Sequence, residues 1–82
     1  MRVNVLYFAV LKDVFKRDGE ELELPEGTTV SGLVEMLKGR EASSGRAWDA
    51  IAVAVNREYA RAETVLREGD EVAMLPPVSG GL

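Results

Sequence analysis

The residue types that suggest chemistry lie at the end of the chain, in Pro76-Pro77-Val78-Ser79-Gly80-Gly81-Leu82. Two consecutive prolines fix φ and hold the exit extended, which projects the last residues away from the body. Gly80 and Gly81 then supply a tip with no side chains and wide backbone freedom. A bare Gly-Gly says little, because many glycine-rich ends simply fray. A stiff spacer directly after a core strand, leading to a thin tip, says more. It suits insertion of a chain end into another protein's active site, since a channel too narrow for a Cβ admits only glycine. The group such an end presents is a carboxylate, a poor electrophile until a better leaving group is attached to it.

Other candidates carry less. The 82 residues include no cysteine and no histidine, which removes disulfides, thiol nucleophiles, Cys/His zinc sites and the usual base near neutral pH. Ser79 therefore has no partner to activate it. Asp70 and Glu71 come after Gly69, where acidic residues are ordinary turn chemistry, so no metal site is expected. Gly27 and Gly32 lack the spacing and the lysine of a phosphate-binding loop. A net charge of −4 argues against nucleic acid and against an anionic membrane surface. No apolar run approaches the ~18 residues of a membrane span and no signal-peptide pattern opens the chain, so a cytoplasmic location is expected. A small acidic domain poor in catalytic side chains reads as a binding or carrier module, not an enzyme on its own.

The elements that must position the tail can be read from pattern. Residues 2–9 read as a strand, with Val3, Val5 and Tyr7 on one face and Asn4, Leu6 and Phe8 on the other. Both faces are largely apolar, so the strand is buried on two sides or one face is a contact surface. Leu11, Val14 and Phe15 suit a short helix over 10–17, ended by an Asp18-Gly19 turn. Residues 20–24 alternate charge and leucine as a half-solvated strand, stopped by Pro25-Glu26-Gly27. Val30, Leu33, Val34 and Leu37 form one apolar stripe, predicting a helix over 29–38 that Thr28 or Thr29 caps and Gly39 ends. Gly32 in its first turn suggests close approach of the helix to a sheet. Trp48 reads as a plug over one end of the core. Residues 51–55 form a strand, Asn56 to Tyr59 the link out of it, and residues 71–75 a last strand ended by proline. Parallel pairing of the first and last strands, with the helix over one face, gives an α+β layer architecture.

Several segments together resemble the small-subunit family of molybdopterin synthase (MoaD). They are Val5-Leu6-Tyr7-Phe8-Ala9, Leu24-Pro25-Glu26-Gly27-Thr28-Thr29-Val30, Val55-Asn56-Arg57-Glu58-Tyr59, Gly69-Asp70-Glu71-Val72-Ala73 and the closing Pro76-Pro77-Val78-Ser79-Gly80-Gly81. The thiamine sulfur carrier is similar and also ends in Gly-Gly, but typically lacks the Pro-Pro-Val-Ser lead-in. The resemblance implies a β-grasp (ubiquitin-like) fold: a mixed sheet with one main helix packed on it, residues 1–77, and a flexible tail, residues 78–82.

It further implies a non-catalytic sulfur donor. Gly81 is adenylated by a ubiquitin-activating-like adenylyltransferase that uses ATP, then converted to a thiocarboxylate, with a sulfurtransferase as a possible source. Gly80 gives it access. The tail donates the sulfur to cyclic pyranopterin monophosphate inside the large synthase subunit, in a heterotetramer, for molybdenum cofactor biosynthesis. This chain binds no cofactor of its own. The family's pattern places partner contacts at Phe8, Tyr59 and Leu75 and along Pro76, Pro77, Val78 and Ser79; from pattern alone Phe8 and Leu75 suit plain core as well. The alternatives are a carrier of sulfur for thiamine or tRNA, or a modifier joined to lysines. The family typically stops at the second glycine, so Leu82 is a departure and must be removed before Gly81 can react.

Overall fold

Alternation in the first strand sets the layering. In the structure, a computed structural model describing residues 1–40, 48 and 50–77, β1 spans Arg2–Tyr7. Val3, Val5 and Tyr7 point inward and are at most 1% exposed. Asn4 is exposed and Leu6 half-buried on the opposite face. The strand stops earlier than its composition suggests because Ala9 turns the backbone, with φ 52° and ψ −130°. Helix α1, Val10–Phe15, comes next and buries Leu11. It is closed by Lys16 in the left-handed region (φ 59°, ψ 37°), so the expected Asp18-Gly19 ending moves back two residues.

Gly19 instead opens β2, Gly19–Glu23, which runs antiparallel to β1 with Gly19 opposite Leu6. A Cβ at Gly19 would lie 2.6 Å from the Val5 carbonyl oxygen and 3.1 Å from Leu6 Cδ2. The nearest obstacle is backbone and cannot swing aside. Gly19→Ala is therefore expected to destabilise the domain by about 1–3 kcal/mol, the usual cost of overpacking. Thermal unfolding checks this, at roughly 4–8 °C of Tm per kcal/mol for a chain of this size.

The Pro25–Thr28 turn closes with Thr28 N–H donating to the Pro25 carbonyl at 3.2 Å, and Gly27 supplies the positive φ of 87°. Helix α2, Val30–Arg40, then begins. Thr29 is its cap: its Oγ1 accepts from the Gly32 N–H at 3.1 Å, satisfying one free first-turn donor. Thr28 Oγ1 donates back to the Pro25 carbonyl at 2.7 Å. Val30, Leu33 and Leu37 are buried and Val34 packs beside them, as the stripe requires. Neither helix glycine has its expected role. Gly39 lies inside α2 without positive φ, and a Cβ on Gly32 would meet Thr28 and Thr29, not the sheet. Lys38 and Arg40 in the last turn suit the negative end of the helix dipole.

Strands β3 (Ala52–Val55), β4 (Glu58–Tyr59) and β5 (Glu71–Leu75) complete a five-stranded sheet of order β2-β1-β5-β3-β4. β1 and β5 pair in parallel at its centre, as expected, and the remaining pairs are antiparallel. Asn56 and Arg57 both have positive φ (52° and 72°), the condition for a two-residue type I′ hairpin turn. The predicted link out of β3 is thus a hairpin, with Tyr59 on its second strand. Asn56 is tied down by its Nδ2, which donates to Asp70 Oδ1 at 2.9 Å, and by its Oδ1, which accepts from the Glu71 N–H at 3.0 Å. One cluster joins α2's stripe to the inner residues Val3, Val5, Tyr7, Val53, Val72 and Met74, with Trp48 also buried in it. This is the β-grasp arrangement, one main helix on one face of a mixed ubiquitin-like sheet.

One end of this core is closed by charge and aromatic rings together. Tyr7 stacks on Phe15 at 4.4 Å, and Phe15 meets Trp48 edge-on at 6.2 Å. The Tyr7 hydroxyl donates to Glu20, whose side chain is only 11% exposed and pairs with Arg17 at 3.1 Å and Arg40 at 3.4 Å. Burial, and then the bond to Glu20, push the Tyr7 hydroxyl well above the usual phenol range.

Candidate functional site

Helix α2 covers the inner face of the sheet, so the outer face decides what the domain can touch. The pairing register lays out one row across it: Leu6 beside Ala73, Ala73 beside Ala54, and Ala54 beside Tyr59. Ala54, between Ala73 and Tyr59 in this row, is buried yet stands apart from the core cluster. Two residues further along β5, Leu75 lies beside Ala52 and is half-buried. Phe8 adjoins Tyr7 at the same end, by alternation on the Leu6 side. It is 40% exposed, and Tyr59 is 82% exposed.

The opposite end of this face is polar, with Asn4 paired to Glu71 and Arg57 3.8 Å from the Glu71 carboxylate. The face is therefore graded, from charge and amide to aromatic and aliphatic. Strand β5 runs up that gradient and ends in Leu75, after which Pro76 is buried and Pro77 exposed. The root of the tail emerges at the apolar end.

The structure thus brings Phe8, Tyr59 and Leu75 onto one face and places Pro76 and Pro77 at its edge. Val78, Ser79, Gly80, Gly81 and Leu82 lie outside the described residues. Neither Phe8 nor Leu75 belongs to the core cluster. Asp70 serves its turn: Oδ2 accepts from the Arg67 N–H at 2.8 Å while Oδ1 takes the Asn56 amide. Among the described residues no group of carboxylates is arranged to hold a metal ion. None of these residues' helices is long and apolar enough to cross a membrane.

Known proteins resemble the chain along almost its whole length. The model of the ThiS family matches residues 5–81. The molybdopterin synthase sulfur carrier subunit of Mycobacterium tuberculosis is 38% identical over 82 residues, covering 99% of each chain. Among solved structures, small archaeal modifier protein 1 from Haloferax volcanii superposes with a TM-score of 0.82 at 28% identity, over 99% of this chain and 100% of that one. A chain in the complex of subunits 1 and 2 of the molybdopterin-converting factor from Helicobacter pylori matches with a TM-score of 0.68 at 26% identity, over 99% of this chain and 100% of that one. With a match that runs almost from end to end and the β-grasp fold in place, the chain belongs to the ThiS family, as a ubiquitin-like protein akin to the sulfur carrier subunits of molybdopterin synthase.

Proposed function

We propose that this chain is the sulfur-carrying subunit of molybdopterin synthase, docking through its outer sheet face and working through Gly81. The observation that carries the reading is the coincidence of the apolar end of that face with the root of the tail. A partner that grips Phe8, Tyr59 and Leu75 receives the chain end in a fixed direction. The full-length similarity to a carrier subunit supports it, as does the existence of a two-subunit complex in the converting factor.

The chemistry has three steps. A Gly81 carboxylate oxygen attacks the α-phosphorus of ATP on an adenylyltransferase, and pyrophosphate leaves. A sulfur nucleophile then attacks the acyl carbon and AMP leaves, giving the thiocarboxylate. In the large subunit the thiocarboxylate sulfur attacks a side-chain carbon of cyclic pyranopterin monophosphate and displaces an oxygen there, and water then cleaves the acyl–sulfur bond and restores the carboxylate. Two such transfers supply the two sulfurs of the dithiolene. The carrier supplies presentation and docking, a role that needs neither histidine nor cysteine. Reconstitution tests this: the chain ending at Gly81, the adenylyltransferase, ATP, a sulfur source and the large subunit should yield molybdopterin. No product from a complete mixture would count against the reading.

A second reading, conjugation to protein lysines, is favoured by the similarity to an archaeal modifier. The same acyl-adenylate would then be attacked by a lysine amine with loss of AMP, joining Gly81 to the target by an isopeptide bond. Because Arg67 is the last tryptic site, digestion would leave residues 68–81 on the target lysine. Mass spectrometry of cell protein digests distinguishes the two.

Leu82 supplies a further prediction. With it in place the terminal carboxyl sits one residue further out, up to about 3.5 Å in extended chain, behind a branched side chain. Misplacement on that scale costs about a hundredfold where reaction depends on positioning. The chain ending at Leu82 is therefore expected to give almost no thiocarboxylate with purified adenylyltransferase, and trimming by a peptidase to restore it.

A further inference from the structure

Four described residues other than glycine have positive φ, and three of them occupy places where that is cheap or expected. Lys16 closes a helix in the left-handed region, and Asn56 and Arg57 form the hairpin turn. Ala9 is different. Its φ of 52° with ψ of −130° lies outside the left-handed helical region, where the backbone is comfortable for glycine but crowded for any L-residue with a Cβ. It is the conformation of the second residue of a type II′ turn, and the Leu11 N–H closes that turn by donating to the Phe8 carbonyl at 3.1 Å. The Lys12 N–H donates to the Ala9 carbonyl, also at 3.1 Å.

The turn separates two opposite demands. Leu11, three residues after Phe8, is fully buried at 0% exposure, whereas Phe8 is 40% exposed. The reversal at Ala9 takes the chain toward the core and leaves Phe8 just past the end of β1, outside the core cluster. On the near side Phe8 adjoins Tyr7, which is held by Phe15 stacking and by Glu20. Glycine would make this turn at lower cost, but with more backbone freedom on the far side of Phe8.

We propose that Ala9 is a positioning residue for partner docking: its strained turn limits the directions open to Phe8, so that the ring is presented already ordered to the large synthase subunit. This role rests on the docking face proposed above. An anchor that is ordered before binding avoids the cost of immobilising it on binding.

The test uses the full chain and the purified large subunit, with calorimetric titration and thermal unfolding on the same samples. Ala9→Gly relieves the strain, so Tm should hold or rise by a few degrees, while affinity falls by about two- to tenfold as the ordering cost returns. A chain made by chemical synthesis with D-alanine at this position relaxes the same strain but keeps the Cβ restriction. It should raise Tm and bind like the natural chain, a split that a merely structural role would not produce. Phe8→Asp serves as the reference arm. If Phe8→Asp abolishes binding and Ala9→Gly leaves it unchanged, the positioning role is overturned and the docking face stands. If Phe8→Asp has no effect, both are overturned.

Discussion

Phe8→Asp and Tyr59→Asp are each expected to weaken binding of the large synthase subunit by well over tenfold, without unfolding the carrier. Binding energy concentrates in a few aromatic or aliphatic anchors that become fully desolvated, each worth about 2 kcal/mol or more on truncation. A carboxylate at such a place adds the cost of burying an unpaired charge. Neither change should unfold the free domain, because Phe8 is 40% and Tyr59 82% exposed and neither belongs to the core cluster. Leu75→Asp should also weaken binding, but it is half-buried and some loss of Tm is expected with it. Glu26→Gln is the control, since its 87% exposed side chain pairs only with the N-terminal amine among the described residues, at 3.6 Å. Calorimetric titration decides the matter. Unchanged affinity for both aromatic variants would place the docking surface elsewhere.

Removal of Gly80 and Gly81 is expected to abolish thiocarboxylate formation and sulfur transfer while Tm stays as it was. Gly81→Ala should show the same loss less completely, because its Cβ must enter a passage gauged to glycine. The stability expectation rests on the core cluster, whose members among the described residues run from Val3 to Met74. Measuring sulfur transfer and unfolding on one preparation separates failure of the tail from failure of the fold. Normal transfer by the deletion variant would show that the tail is dispensable.

The sequence makes some parts of this structure readable and hides others for physical reasons. Alternation in Val3, Val5 and Tyr7 and the Val30, Leu33, Leu37 stripe report local periodicity, and each is legible because burial tracks it directly. Strand β4 is hidden because its turn uses Asn56-Arg57 where a hairpin signal normally carries glycine second. The contact at Gly19 is hidden because it is made to the neighbouring strand, and no local pattern reports a tertiary approach. Gly39 looks like a helix terminator since a glycine one place early or late gives the same sequence signal. Glu20 reads as part of a solvated alternation. Its partners Arg17 and Arg40 arrive from the ends of two different helical regions, so only the fold reveals that it is nearly enclosed.

The candidate site divides in the same way. The tail is legible from residue type alone, because consecutive prolines and glycines each impose a backbone property. The docking face is not, since β1 is apolar on both sides and only the placement of α2 tells which side is core. Tyr59 stands out by its type, but pattern places it in a link where the structure has a strand. Ala9 gives no signal at all, alanine being unremarked in sequence and conspicuous only through its dihedral angles.

The central claim is that Gly81 becomes the sulfur-bearing end of the chain. Intact-mass analysis tests it most directly, after incubation of the chain ending at Gly81 with the cognate adenylyltransferase, ATP and a sulfur source. The expected result is a mass gain equal to one sulfur replacing one oxygen, dependent on ATP and lost when Gly80 and Gly81 are deleted. An unchanged mass with an adenylyltransferase shown to be active, or the same gain in the chain lacking both glycines, would contradict it.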